Sequence, residues 1–234
     1  MKAAITKSLF IIFCFFSLHN LSAQDSIPRK SIITLNVFSP LMSQVPRWDA
    51  GYMRNISRRV WLGVELGYGN HDITINDVSG RDMLNNDYQI FEIRPSVYFD
   101  LRPGKKLKHL ASFELYFIHH TDTFEDSEYY DTEALRTYKY DAADYKRLKY
   151  GFNLNYNLMY NFGSRFALMQ TIGIGLKIRD VDFTNFINKV DTDRTDDDEG
   201  LGYGLFFNNY YRTDDGFVTA FNFNLDLKLI YRFK

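Results

Sequence analysis

The sequence predicts an all-β fold, an eight-stranded antiparallel up-and-down transmembrane β-barrel. Three observations predict it: polar and apolar residues alternate along several segments, short and long connections alternate between those segments, and aromatic residues gather near the segment ends. Aromatic residues make up 17% of the 234 residues, with 21 Phe and 17 Tyr, and both types favour strands. The formal net charge of −1 gives no basic field that would attract nucleic acid, so we expect no nucleic-acid partner.

The N-terminus has the three parts of an export signal. Lys2 and Lys7 supply positive charge, residues 8–18 are apolar, and Ala23 ends a small-residue cleavage motif. The apolar run is shorter than the about 20 residues that a spanning helix needs. The chain therefore divides into a signal peptide over residues 1–23, a short segment over 24–30 and an outer-membrane barrel over 31–234.

Cys14, the only cysteine, falls inside the predicted signal peptide. The mature protein would therefore have no disulfide and no thiol chemistry. We also expect no cofactor.

Period-two alternation predicts the strands. From Val60 to Tyr68 every second residue is apolar, and the residues between are Trp, Gly or Glu. A tilted membrane-crossing strand needs about 9–11 residues, and most of the alternating segments reach that length. The predicted strands are residues 31–40, 48–56, 60–70, 88–101, 109–120, 146–161, 166–180 and 217–233.

The connections between these strands differ at the two ends of the predicted barrel. Tight or short links cover residues 57–59, 102–108 and 163–165, whereas long polar segments cover 71–87, 121–145 and 181–216. Membrane barrels have short periplasmic turns and longer extracellular loops. An even number of strands places both termini on the short-turn side.

A soluble lipocalin-like barrel has the same alternation with its apolar face inward. The charges on the polar face and the aromatic residues near both strand ends favour a membrane barrel, in which the polar face lines the lumen and the apolar face points outward. Trp61 is the exception, since its parity points it inward. We expect the lumen charges to pair, because an unpaired buried charge costs several kcal/mol. The predicted network consists of Glu65, Glu92, Arg94, Glu114, Lys177, Arg179, Asp226 and Lys228.

The C-terminal strand ends on alternating apolar and aromatic residues: Leu225, Leu227, Leu229, Tyr231 and Phe233, followed by Lys234. This ending resembles the insertion signal of outer-membrane barrels, which implies that the barrel-assembly machinery reads Leu229, Tyr231 and Phe233. With eight strands and an export signal, residues 31–234 resemble the OmpX/OmpA-like group of small Gram-negative barrels. That architectural resemblance implies an outer-membrane location and contact with outer-membrane lipid and lipopolysaccharide.

Two adjacent histidines near the outer rim are candidates for chemistry. Some outer-membrane barrels act on lipid A or on peptides through a rim histidine, an acid and a serine, and histidine serves as a general base near neutral pH. Here His119 or His120 would act with Asp122 and a loop serine such as Ser79 or Ser127. No nucleophile motif such as G-x-S-x-G is present. Rim histidines with no chemical role are the alternative.

An acidic run in the last long connection offers oxygen ligands for a metal ion such as Ca²⁺. Its aspartates are Asp191, Asp193, Asp196, Asp197 and Asp198. The spacing does not match an EF-hand, and such runs are usually solvated loops. Divalent-bridged contact with lipopolysaccharide is a further reading.

The segment over residues 121–145 contains five tyrosines among its acids. Tyrosine suits a recognition surface for an extracellular ligand, although strands that stand above the membrane would explain the same pattern. The leading hypothesis is a non-enzymatic surface structural or recognition barrel. The alternatives are the rim-histidine enzyme and a narrow ion channel.

Overall fold

The computed structural model describes residues 30–43, 45–74, 87–102, 107–131, 134–192 and 215–233. The predicted signal peptide lies outside the described residues, as does most of the segment over 24–30. The described residues form one helical turn and nine strands: β1 Ser31–Asn36, α1 Ser39–Met42, β2 Trp48–Asn55, β3 Val60–Asn70, β4 Gln89–Asp100, β5 Leu107–Asp131, β6 Arg136–Phe162, β7 Phe166–Ile187, β8 Val190–Asp191 and β9 Gly216–Arg232.

Eight of these strands close into an antiparallel barrel, as the sequence predicts. Neighbours in the chain pair from β1 to β7, β9 pairs with β7, and β1 pairs back onto β9. The two-residue β8 pairs with β6 beyond the end of β7. It therefore continues the edge that β7 forms along β6 and does not add a ninth strand to the barrel.

The strand register gives the barrel its shear. A path from each residue to its directly opposed partner on the next strand starts at Lys228 on β9 and returns, once around the barrel, to Val218 on β9. The start and the end of this path are ten residues apart. The path passes through Asn36, Asp49, Gly67, Glu92, Ile118, Lys149 and Arg179. A closed barrel with this stagger has strands tilted by about 40° and an interior that its own side chains fill.

The prediction that residues 121–145 form a loop is wrong, and the alternative, that extended strands continue through this segment, is confirmed. β5 continues to Asp131 and β6 begins at Arg136, so most of that segment is an antiparallel hairpin. The first residue of β4, Gln89, lies opposite Thr121, and the first residue of β9, Gly216, lies opposite Val181. Neither strand extends farther in this direction. We call the three-stranded part beyond these points the outer sheet: residues 122–131, 134–145 and 182–192. β7 also runs beyond its predicted end at residue 180.

At the start of the chain the predicted first strand is too long. β1 ends at Asn36, because the chain then folds into the single turn of α1 with Pro40 in its first turn. The Asn36 Oδ1 atom accepts the backbone N–H of Phe38 at 2.9 Å, which helps to turn the chain out of the strand. None of the described residues belongs to a helix long and apolar enough to span a membrane.

Candidate functional sites in the lumen and the outer sheet

A group of apolar side chains packs together at the turn end of the lumen. Each is 8% exposed or less, and together they form one packed cluster of Ile32, Met53, Trp61, Tyr98, Leu110, Met159, Ala167, Met169 and Ile230. The inward parity of Trp61 therefore has a structural reason: its ring helps to close the base of the barrel. We call this cluster the base plug.

Above the base plug, Arg94 lies at the centre of a buried ion-pair network. Its guanidinium contacts the carboxylates of Glu92, Glu114 (3.7 Å) and Asp226 (3.3 Å). Lys228 Nζ lies 2.7 Å from Glu65 Oε2 and 3.8 Å from Asp226 Oδ2. These contacts link charges from β3, β4, β5 and β9 across the lumen.

Arg47 enters the same network from the β1–β2 connection. Its Nε atom contacts Glu92 and lies 3.4 Å from Asp49 Oδ1. The Asp49 side chain lies over Gly67 on β3. A Cβ atom added at Gly67 would stand 2.1 Å from Asp49 Oδ1. The network thus joins five acids and three bases, and Gly67 leaves the space that one of those acids occupies.

Amide side chains satisfy several of the carboxylates and cross-link the strands. Asn36 Nδ2 donates to Asp226 Oδ1 at 2.9 Å, and Asn153 Nδ2 donates to Glu114 Oε1 at 2.9 Å. Asn222 then donates to Asn153 at 2.7 Å. Buried charges are stabilised only when such partners fix them, so these asparagines belong to the network.

Six of the eight predicted lumen charges meet in this network: Glu65, Glu92, Arg94, Glu114, Asp226 and Lys228. Lys177 and Arg179 face the lumen on β7 nearer the outer end, where Arg179 is buried. Sequence reasoning missed Asp49, although its inward parity on β2 was a usable signal. Arg47 lies in a connection, where no periodicity exists to find it.

The candidate catalytic residues divide between the two faces of β5. His120 and Asp122 point inward, with His120 Nε2 3.9 Å from Asp122 Oδ2. The rings of Tyr88 and Tyr145 meet the His120 ring edge-on, each at 5.1 Å between centroids. His120 is 0% exposed, so in this state no substrate can reach it. His119 is directed to the opposite face and does not join them.

Ser127 and Ser79 were the candidate nucleophiles. Ser127 follows Asp126, a residue with positive φ, and lies directly opposite Tyr140 in the outer sheet. Ser79 lies outside the described residues.

The outward face of the barrel is an apolar band. On β7 the outward residues Ile172 and Ile174 are 60% and 61% exposed. The exposed side chains of the neighbouring strands match them in kind: Leu62, Val64, Leu66, Phe91, Phe99, Phe113, Leu115, Phe117, Leu154, Tyr156, Phe221, Phe223 and Leu225. On β5 the band extends over the eleven residues from Leu107 to Phe117, which rise about 25 Å along the barrel axis at a tilt near 40°.

In the outer sheet the same strands exchange the polarity of their faces. The inward face carries a mainly aromatic cluster of Phe124, Tyr129, Tyr140, Ala143, Tyr145 and Phe183, and Val181 at its border packs with them. The outward face is polar, with Glu125, Asp144, Asp182 and Thr184 exposed. Phe124 stacks on Tyr145 at 4.5 Å, and Tyr145 meets Phe183 edge-on at 5.2 Å.

Lys189 secures the outer end of this sheet. Its Nζ atom stands over the rings of Tyr138 (4.0 Å), Phe186 (4.6 Å) and Tyr129 (4.9 Å) and donates to the Tyr129 hydroxyl. Burial raises the pKa of Tyr129, so its hydroxyl stays neutral. The contact fixes the link between β7 and β8 onto the β5–β6 hairpin.

Of the candidate metal ligands, only Asp191 is described. It pairs with Arg136 across β8 and β6, and no group of three potential ligands exists among the residues that the structure describes. Asp193, Asp196, Asp197 and Asp198 lie outside the described residues.

The predicted insertion residues lie at the turn end of β9. Leu229 is exposed on the outward face. The Tyr231 ring contacts the rings of Phe166 and Phe233, each edge-on at 5.5 Å. Lys234 lies outside the described residues.

These features define a class: a closed eight-stranded antiparallel β-barrel with a charged lumen and an apolar outer surface. No family model matches the chain, and no curated protein sequence matches it. A solved structure similar to the chain is that of a major outer membrane protein from Thermus thermophilus, with 14% identity and a TM-score of 0.41, covering 88% of this chain and 99% of that one. The barrel assignment rests on the strand register, not on this likeness.

Proposed function

We propose that the chain is an integral outer-membrane barrel of the OmpX/OmpA-like group, exported by a cleaved signal peptide. Its function is non-enzymatic, and the outer sheet is its recognition surface. Partners are outer-membrane lipid and lipopolysaccharide, the barrel-assembly machinery during insertion, and an extracellular ligand.

The observation that carries the proposal is the exchange of face polarity along β5, β6 and β7. On β7 the outward residues change from Ile174, Leu176 and Ile178 to Asp180 and Asp182. A sheet surface in hydrocarbon must be apolar and one in water must be polar. A soluble barrel has water around it everywhere and would have no reason to change its outward face at one level.

The height of the apolar band agrees with a membrane. It spans about 25 Å along the axis, which is the height of the lipid-facing band in outer-membrane barrels. Tyr150 and Phe91 border it toward the outer sheet, and Tyr160 and Phe162 border it toward the turns. Aromatic residues at both borders favour the two membrane interfaces.

Packing in the lumen favours a structural or recognition role over the alternatives. The base plug packs apolar side chains together at the turn end of the lumen, which disfavours the passage of an ion there. The only candidate histidine inside the barrel, His120, is fully buried between Tyr88 and Tyr145. These two features favour a structural or recognition role over the narrow channel and the rim enzyme.

The outer sheet has the composition of a recognition surface. Its described residues carry nine acids and three bases, and its outward face is polar and exposed. Its aromatic inner face makes it rigid, so binding would order few additional residues.

Matched lysine substitutions on β7 test the membrane claim. Ile172→Lys places a charge at the middle of the apolar band, whereas Thr184→Lys places one on the outward face of the outer sheet. In lipid vesicles we expect the first to lower the free energy of unfolding by about 2–4 kcal/mol and the second to change it by less than about 0.5 kcal/mol. Equal effects would contradict the proposal.

Shortening the hairpin tests the recognition claim. Replacing residues 123–144 by an Asn-Gly turn joins Asp122 to Tyr145 and removes the β5–β6 part of the outer sheet. We expect the barrel to fold with unchanged heat-modifiable gel mobility, and cells that carry it to lose adhesion to surfaces that bind the full protein. Unchanged adhesion would contradict a recognition role for this sheet.

A further inference from the structure

The turn end of the barrel is strongly basic. The described residues there contain a single acid, Asp100, which is 3% exposed and binds Lys108 Nζ at 3.1 Å. The bases at that end are eight in number: Lys30, Arg54, Arg58, Arg59, Arg102, Lys108, Arg165 and Arg232. We call these eight residues the basic collar.

Backbone hydrogen bonds place the collar residues at one level. The N–H of Asn55 donates to the Lys30 carbonyl at 3.1 Å, and the N–H of Asp100 donates to the Arg59 carbonyl at 2.7 Å. On the other side of the barrel, the N–H of Arg232 donates to the Arg165 carbonyl at 2.8 Å. Because the barrel is closed, the bases at these links form a ring.

The collar side chains are available to an external anion. Six of them are exposed: Lys30, Arg54, Arg58, Arg59, Arg102 and Arg165. Among the residues that the structure describes, no carboxylate lies within ion-pair distance of any of these six. Their positive charge is therefore directed to the surroundings.

The collar borders the aromatic edge of the apolar band. Phe99, Tyr160, Phe162, Phe166 and Phe233 are exposed just above it. In a bilayer, the groups that lie immediately outside the hydrocarbon are the lipid phosphates. The outer sheet at the opposite end carries nine acids and three bases, so the two ends differ in sign and only the turn end suits an anionic surface.

We propose that the basic collar binds the phosphate groups of anionic phospholipids in the leaflet on the turn side of the barrel. The inference rests on the proposed function, because it requires the barrel to span a bilayer. Several arginines in a ring suit this ligand, since a guanidinium binds a phosphate oxygen pair with two parallel hydrogen bonds. The attraction falls off within a Debye length, so added salt weakens it.

The test uses the full mature protein inserted into vesicles of phosphatidylcholine with spin-labelled phosphatidylglycerol. A collar variant, Arg58→Gln with Arg165→Gln, is compared with a matched outer-end variant, Arg136→Gln with Lys139→Gln. We expect the native protein to prefer phosphatidylglycerol over phosphatidylcholine. That preference should fall about fivefold or more in the collar variant, and the outer-end variant should keep it.

Two outcomes would overturn the inference: the collar variant could retain the native lipid preference, or both variants could lose it equally. If the collar variant retains the preference but loses co-sedimentation with purified peptidoglycan, the collar is assigned to an anionic polymer instead. Heat-modifiable gel mobility reports insertion separately: failure of the native protein to insert would contradict the proposed function itself.

Discussion

The barrel and the outer sheet are built from the same three strands, and they are organised in opposite ways. Within the barrel, β5, β6 and β7 turn apolar side chains outward and buried charges inward. Beyond Thr121 and Lys146 they turn acids outward and aromatic rings inward. The backbone pairing continues across this border, so the difference is not one of secondary structure. If the barrel spans a membrane as we propose, the medium outside each part decides which face is apolar.

The two parts also differ in how they use charge. In the lumen, ion pairs such as Arg94 with Asp226 are almost fully buried. In the outer sheet, Arg136 and Asp191 have side chains that are 53% and 30% exposed. Buried pairs are costly to break because the remaining charge stays uncompensated, whereas exposed pairs are screened by water.

The largest expected effect follows from this difference. Arg94→Met removes the cation that faces Glu92, Glu114 and Asp226, and we expect the free energy of unfolding to fall by about 3–5 kcal/mol. Arg136→Met should lower it by about 1 kcal/mol or less. Urea unfolding in vesicles, followed by tryptophan fluorescence, measures both.

Rescue identifies the cause of the Arg94 effect. Adding Glu92→Gln and Glu114→Gln to Arg94→Met removes two of the uncompensated charges and should restore part of the lost stability. A loss that persists unchanged would attribute the effect to packing and would weaken the account of the lumen as an ion-pair network.

A second effect should be confined to the outer sheet. Phe183→Ala removes a ring that packs on Phe124, Tyr140 and Tyr145, and we expect the outer sheet to lose about 3 kcal/mol of protection in hydrogen exchange. The barrel amides should keep their protection. Phe223→Ala, on the apolar outward face of the barrel, is the control and should leave the outer sheet unchanged. Loss of protection throughout the barrel would show that the two parts unfold as one unit.

The smallest effect concerns Lys189. Lys189→Met keeps most of the side-chain volume but removes the ammonium group between Tyr129, Tyr138 and Phe186. We expect a loss of about 1 kcal/mol, which is typical of a partly exposed cation–π contact. The backbone N–H of Thr192, which donates to the Thr137 carbonyl at 3.1 Å, should exchange about fivefold faster. Unchanged exchange at Thr192 would mean that Lys189 does not hold the link in place.

Alternation predicted the barrel strands well where one medium surrounds them. The predicted third strand, residues 60–70, matches β3 residue for residue. The pattern failed for residues 121–145, because acids and tyrosines there do not resemble a lipid-facing strand. A residue with positive φ at Asp126 also shifts which residues face inward. Polarity rules that assume one outer medium therefore cannot decide between a loop and a continued strand in this segment.

Sequence patterns also predict only part of the candidate sites. Parity alone separates His119 from His120, since adjacent strand residues face opposite sides, so the pair could not have acted together. Burial of His120 between Tyr88 and Tyr145 depends on residues far apart in sequence, and no local pattern predicts it. Arg47 reaches Glu92 from a connection, which only the three-dimensional path of the chain makes possible.

One labelling measurement tests the central claim, that the barrel spans the outer membrane with the outer sheet outside the cell. The mature chain has no cysteine once the predicted signal peptide is removed, so Glu125→Cys in the outer sheet and Arg58→Cys at the turn end each introduce a single thiol. A membrane-impermeant maleimide is then added to intact Gram-negative cells. We predict that the cysteine at position 125 is labelled at once and the cysteine at position 58 only after the outer membrane is permeabilised. Labelling of both in intact cells, of neither, or in the reverse order would contradict the account.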